Sequence, residues 1–331
     1  MIWDELKKPF LILAPMEGVT DIAFRQVVAK AGRPDLFFTE FTNVSSYASE
    51  KGRSNALERL EIAESDKPII AQIWGKEPEH FAELAGALEN LGFSGVDLNF
   101  GCPDKHVNKA GGGAAMIKTP DLAVECYQNA KKTTNLPISI KTRLGWGDVE
   151  EYKVWLATLL GQHPAALTVH LRTKKEMSKV PAHYELIPEI IKLRAEISPE
   201  TKLIINGDIR DKAHALKLYE QFPEVDGFMI GRGVFANLYC FTDYKPMQGE
   251  LFELLNYHLD LYEIQTEKYY KAHIGKELSY EPLKHYFKIY INNFPGASEL
   301  RAKLMNTHSI PEAREILKKN FHNNYSTATT I

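Results

Sequence analysis

Cysteine is scarce in this chain. Three occur among 331 residues, at positions 102, 126 and 240. An odd count with no Cys-x-x-Cys pair excludes a disulfide framework and a thiol-rich zinc site. Free thiols at this density fit a reducing, cytoplasmic setting. Long apolar runs are missing too: no stretch is long enough to span a bilayer. The opening Met1-Ile2-Trp3-Asp4-Glu5 does not read as a signal peptide. Positive charge is not in excess. A net charge of −3 argues against a surface uniformly coated for nucleic acid, while leaving room for a local basic face. No cluster of His, Cys, Asp and Glu has metal-ligand spacing, so no metal is expected. There is no Gly-x-Ser-x-Gly elbow.

What is present is a cadence. Eight short apolar runs recur, at 11–14, 36–39, 69–73, 95–99, 138–141, 167–170, 203–206 and 227–231, separated by helical patterns. Continuous apolar strands belong to parallel sheets covered by helices. Eight of them over about 240 residues have the size of a (β/α)8 TIM barrel. A doubly wound sheet would carry Gly-x-Gly-x-x-Gly after its first strand, and none follows Ala14. Pro78 and Pro120 stand where first-turn prolines open helices. With 44% hydrophobic residues the core needs no covalent staples. After about residue 244 the strand runs stop, and 251–270 and 299–319 read as amphipathic helices. The expected architecture is a barrel over 1–244 with an appended helical domain over 245–331. A monomer is expected.

Barrel active sites lie at the C-terminal ends of the strands, and here those ends are polar. The run Gly95 to Asn99 leads into Phe100-Gly101-Cys102-Pro103. This places a thiol at a strand tip between a residue that permits close approach and one that stiffens the exit. The loop that follows holds Lys105, His106, Lys109 and the triplet Gly111-Gly112-Gly113, a candidate lid with the glycines as hinge or close-approach element. Asn206-Gly207-Asp208 and Gly231-Arg232-Gly233 end runs seven and eight. Those are the positions where such barrels commonly bind phosphate, and Gly-rich turns present N–H groups to an anion. Arg232 adds a charge-assisted contact. Lys141, at an apolar strand end, is most useful facing a ligand that carries negative charge, such as a reduced flavin. Gln72 offers an amide donor and acceptor to such a ring, and Pro15-Met16 an adaptable wall. His170 and Arg172 can hold a phosphate or the ring. Cys126 and Cys240 read as core. From Lys284 onward seven Lys and Arg outnumber three Glu, and charge asymmetry of this kind points to a polyanionic partner.

These residues together resemble the tRNA-dihydrouridine synthases. The matching motifs are Ala14-Pro15-Met16-Glu17-Gly18-Val19-Thr20-Asp21, Asp97-Leu98-Asn99-Phe100-Gly101-Cys102-Pro103, Val169-His170-Leu171-Arg172-Thr173, Ile205-Asn206-Gly207-Asp208 and Met229-Ile230-Gly231-Arg232-Gly233, continuing into Phe294-Pro295-Gly296-Ala297. The resemblance implies an FMN-dependent barrel that reduces particular uridines of the tRNA D-loop to 5,6-dihydrouridine with NADPH as electron source. It implies FMN contacts from Pro15, Met16, Glu17, Gln72, Lys141, His170, Asn206, Gly207, Asp208, Gly231 and Arg232. Cys102 would be the general acid. Asn99 and Arg143 would lie on the substrate side, and Lys284 and Arg301 on the helical domain would touch the tRNA body. The Pro-Met-Glu-Gly-Val opening is most similar to the branch acting at tRNA position 16. Leu171 and Tyr184 depart from the family pattern, which usually has Gly and Trp there. Two other readings stay open. One is a flavin barrel acting on a small pyrimidine, like dihydroorotate dehydrogenase, which needs no basic tail. The other is an RNA-binding protein with a vestigial cofactor site, against which the set Cys102, Lys141 and Gly231-Arg232 argues.

Overall fold

The computed structural model describes residues 2–272, 275, 278–292 and 294–325. Its strands are β1 (Phe10–Leu13), β2 (Phe37–Phe38), β3 (Thr42–Asn43), β4 (Ile69–Trp74), β5 (Gly95–Phe100), β6 (Ile138–Arg143), β7 (Ala166–His170), β8 (Lys202–Asn206) and β9 (Gly227–Ile230). All pairings are parallel, in the order β1-β9-β8-β7-β6-β5-β4-β2. The ring closes between β1 and β2 through the Ile12–Leu36 bridge, where the N–H of Asp35 donates to Leu11 O at 2.9 Å. Eight strands therefore form the barrel, with helices around it. The ninth, β3, is two residues long and pairs in parallel with the C-terminal end of β4.

Strand periodicity sorts the side chains. Leu11 and Leu13 face the helical layer. Phe10, Ile12, Ile70, Ala166, Ile204 and Met229 fill the barrel, closed below by Trp3. One or two steps further along the same inward-facing register come Gln72, Asn99, Lys141, His170 and Asn206. The barrel interior is thus apolar at its N-terminal end and polar at its C-terminal end.

The C-terminal region is helical, with helices Gln248–Ala272, Phe287–Tyr290, Ala297–Met305 and Ile310–Tyr325. The single helix expected over 299–319 is two. It breaks at 306–309, where the Ser309 side chain and Pro311 start a new helix and Glu312 reaches back to the His308 N–H at 2.8 Å. That is a capping arrangement. The long helix lies against helix Ile22–Gly32 through an aromatic cluster: the Phe24 and Tyr286 ring centroids are 5.0 Å apart, and those of His258 and Tyr286 4.8 Å. The Tyr286 hydroxyl donates to Val19 O at 2.8 Å, tying this region to the loop after β1. No helix among the described residues is long and apolar enough to cross a membrane.

Candidate active site

A cleft of about 1590 Å³ opens at the C-terminal ends of the strands. Cys102, Pro15, Met16, Glu17, Gln72, Asn99, Lys141, Arg143, His170, Asn206, Gly207, Asp208, Gly231 and Arg232 all line it. Topology brings them together: they sit at or just beyond the C-terminal ends of seven strands, β1 and β4–β9, and parallel strands deliver those ends to one face.

The thiol is held by a relay that begins inside the barrel. Asp97 accepts from Ser139 Oγ at 2.6 Å and from Gln72 Nε2 at 2.7 Å. Gln72 Oε1 accepts from Asn99 Nδ2 at 3.0 Å. Asn99 Oδ1 then accepts the N–H groups of Gly101 and Cys102, at 3.1 and 2.9 Å. Burial lifts the Asp97 carboxyl to about 6, against the Ser139 and Gln72 hydrogen bonds. Burial also pushes the Cys102 thiol up, outweighing the pull of Lys141 and Arg143. With its pKa raised above the ordinary thiol value, Cys102 carries its proton at neutral pH.

The segment after Cys102 is ordered around it. Residues Lys105–Lys109 form a short helix capped by Asp104, and Asn108 Nδ2 donates to Cys102 O at 2.9 Å. Gly113 has φ +58°, and a Cβ there would lie 2.8 Å from Cys102 O. A Cβ at Gly112 would lie 2.8 Å from the Trp74 ring. Gly112 and Gly113 permit this close approach.

The opposite wall is positive. Burial and the nearby Arg143 lower Lys141 to about 8, and its ammonium has no carboxylate partner within ion-pair distance among the described residues. His170 is held well below its ordinary range by burial and by Arg143, Lys141, Arg172 and Arg232. Its Nε2 faces an Arg172 guanidinium N–H at 3.2 Å, so Nε2 accepts and Nδ1 carries the proton. Asp208 bridges Arg172 and Arg232, the latter at 2.9 Å. Gly207 and Asp208 have φ of +123° and +51°, a left-handed turn that aims successive N–H groups the same way. Among the described residues the N–H groups of Gly207, Asp208, Gly231 and Arg232 donate to no protein acceptor. Tyr184 donates its hydroxyl to Gly207 O at 2.6 Å and steadies this turn. Unsatisfied amides beside an unpaired ammonium fit a ligand that carries a phosphate and a second electron-rich group.

Arg143 also works structurally. Its Nε donates to Gly101 O at 2.8 Å, and NH1 to Thr173 O and Met177 O, both at 3.1 Å, leaving NH2 for the cleft. Lys284 and Arg301 lie outside the cleft, on the C-terminal helical region. The Lys284 side chain is 7% exposed and pairs with Glu281 at 2.8 Å. Arg301 donates to Ile291 O at 2.7 Å, fixing the end of the preceding helix. Helix packing, invisible in the charge count, buries Lys284 and leaves Arg301 half-buried. The sequence reading missed the aromatic wall of Phe41 and Trp74, whose centroids are 6.3 Å apart. Its one signal was Trp74, two residues beyond Gln72 on the same strand face.

Fold and site define a (β/α)8 barrel with a phosphate-receptive strand-end cleft and a single protonated thiol at its edge. Among solved structures, the barrel is similar to a morphinone reductase variant in complex with tetrahydroNAD, with a TM-score of 0.51 and 14% identity over 72% of this chain and 87% of that one. That likeness concerns the fold alone. The family model described as Dihydrouridine synthase (Dus) matches residues 12–326. A probable tRNA-dihydrouridine synthase 2 of Bacillus subtilis (strain 168) is 49% identical over 318 residues, 95% of each chain. A probable tRNA-dihydrouridine synthase of Staphylococcus aureus (strain COL) is also 49% identical, over 95% of this chain and 94% of that one. The chain belongs to the dihydrouridine synthase family.

Proposed function

We propose that this protein is a cytoplasmic enzyme that reduces uridine in the D-loop of tRNA to 5,6-dihydrouridine, with FMN as resident cofactor and NADPH as reductant. The observation that carries the reading is the convergence of a protonated thiol, an unpaired ammonium and free backbone amides on one cleft.

The N–H groups of Gly207, Asp208, Gly231 and Arg232 would hold the cofactor phosphate. Lys141, Gln72 and His170 would face its ring, with Pro15, Met16 and Glu17 as wall. Bound there, FMN would supply hydride-transfer chemistry toward uracil C6, with NADPH as the source of electrons. Negative charge then develops toward C5 and O4 of the base. Cys102 gives its proton to C5, and its raised pKa keeps that proton in place at neutral pH. Asn99 holds the Cys102 N–H and so orients the thiol. The NH2 group of Arg143 is available to an oxygen of the base. The target base must leave its stack to enter the cleft.

The test is the dihydrouridine content of tRNA, mapped by position, in cells with and without the gene. Loss of one position, restored by the wild type and not by Cys102→Ala, is expected. Purified Cys102→Ala should retain FMN and tRNA while uridine reduction falls about 10²–10⁴-fold. Near-normal turnover would remove Cys102 as the acid. Intact dihydrouridine after deletion, together with an inactive purified protein, would overturn the function.

A further inference from the structure

We propose that Met177 is a wedge for the RNA: its side chain packs against the base next to the flipped uridine and fills the gap that the uridine leaves. This rests on the tRNA reading above and gives one residue of that site a part in substrate positioning.

Met177 is out of place by two ordinary rules. Ten large apolar side chains are exposed among the described residues, and Met177, at 43%, is the one of them that lines the cleft. Its backbone is also left-handed, with φ +55°. The other non-glycine residues with positive φ among the described residues are His163 and Asp208, types that enter this region more readily. Lys179 N donates to Glu176 O at 2.9 Å, closing a four-residue turn with Met177 at its first central position. Positive φ at that position belongs to turns dominated by Gly, Asn and Asp. The Met177 Cβ is a steric cost there, and the side chain gains no burial in return.

The surrounding bonds hold this conformation in place. Glu176 accepts from Thr173 N at 2.7 Å, its own N–H donates to Thr173 Oγ1 at 3.2 Å, and its carboxylate pairs with His183 at 2.9 Å. Lys174 N and Lys175 N donate to Gly145 O and Trp146 O of the loop after β6, at 2.8 and 2.9 Å. Arg143 NH1 donates to Thr173 O and to Met177 O. A strained residue persists where its surroundings over-determine it, and such residues gather at ligand clamps. The same guanidinium, through Nε, holds Gly101 O next to the thiol. One planar group therefore fixes the tip of this turn relative to Cys102.

An exposed residue that lines the cleft stands at its mouth, where the nucleotides flanking a flipped base remain. The base that enters the cleft abandons the stacked faces of its neighbours. Apolar side chains, Met among them, occupy opened base steps. The methionine side chain is unbranched and polarizable, so it adapts to a purine or a pyrimidine face. A glycine in this turn would be relaxed and would leave that face to water.

The experiment follows uridine reduction by the FMN-loaded protein on three synthetic tRNAs: one intact, and two in which the nucleotide on one or the other side of the target uridine is abasic. Met177→Ala should lower kcat/KM about 10-fold on the intact tRNA. On one of the abasic tRNAs the wild type should fall to the level of the variant, because no base remains to pack against. Met177→Leu should stay close to wild type. Met177→Gly should lose as much activity as Met177→Ala yet melt no lower than wild type, since glycine relieves the left-handed backbone. A residue with only a structural role would lose stability and activity together. FMN content and the rate of flavin reduction by NADPH should match wild type in all three variants. Equal loss on all three tRNAs, or full activity of Met177→Ala, overturns the inference and leaves the function standing. Slowed flavin reduction would assign Met177 to the reductant and overturn the inference as well. A wild-type protein that reduces uridine in no tRNA overturns the function itself, and the wedge with it.

Discussion

Asp97 is a carboxyl group inside a barrel, far from water, with two donors on it. Its cost is met by use: through Gln72 and Asn99 it sets the backbone that carries the thiol. Burial places its folded pKa at about 6, above the ordinary carboxyl value of 3.8. A group raised in this way favours the folded state at pH below its unfolded pKa, and that contribution is lost as pH rises through the folded value. Asn at this position mimics the protonated form and does not titrate. The stability of wild type minus that of Asp97→Asn should therefore be greatest near pH 4 and shrink toward pH 7, measured by urea unfolding at each pH. The opposite trend would mean that the carboxylate is held as an anion in the folded protein.

At the scale of elements, the helix Ile22–Gly32 is anchored by one side chain. Arg25, 1% exposed, donates to Asp66 Oδ2 at 3.0 Å from Nε and 2.9 Å from NH2. It also donates to Thr20 O at 2.9 Å and Glu61 O at 2.7 Å. It thus joins the loop after β1, the helix and the turn Glu64–Asp66 before β4. Arg25→Met would remove every one of these bonds and leave a buried carboxylate unpaired, a change that costs about 3–5 kcal/mol. A lowered Tm with unchanged tRNA affinity per folded molecule is expected. A Tm within a degree of wild type would show that Asp66 finds another partner or a proton.

Apart from the barrel interior, the whole molecule shares one core. Buried residues run without a break from the barrel strands through Phe24 and Val28 to Leu255, Leu259, Tyr286 and Tyr290 of the C-terminal helices. Removing residues 245–331 would expose the face of helix Ile22–Gly32 that these residues cover and free the loop after β1 from Tyr286. A chain ending at 244 should be poorly soluble or melt well below the full-length protein in a thermal scan. A soluble fragment with a wild-type transition would show that the barrel stands alone.

Much of this was legible in the residues themselves. Eight apolar runs at an even spacing and a parallel topology suffice to bring Cys102, Lys141, His170, Gly207 and Arg232 to one end of a barrel. Period-two alternation suffices to turn Gln72 and Asn99 inward, because the rule involves only neighbours along a strand. β3 escaped, since two residues have no period, and so did the aromatic wall beside it. The break at 306–309 was written in Ser309, Pro311 and Glu312 but hidden by the apolar pattern around it. What only the tertiary structure decided is which charges remain free. Lys284 and Arg301 looked like the basic contacts, and packing gave each a partner. Lys174 and Lys175 lie in a stretch with Glu176 beside them, and the fold turned that acid to His183 and the Thr173 N–H. Pairing of this kind depends on which surfaces meet across dozens of residues, and no local pattern encodes it.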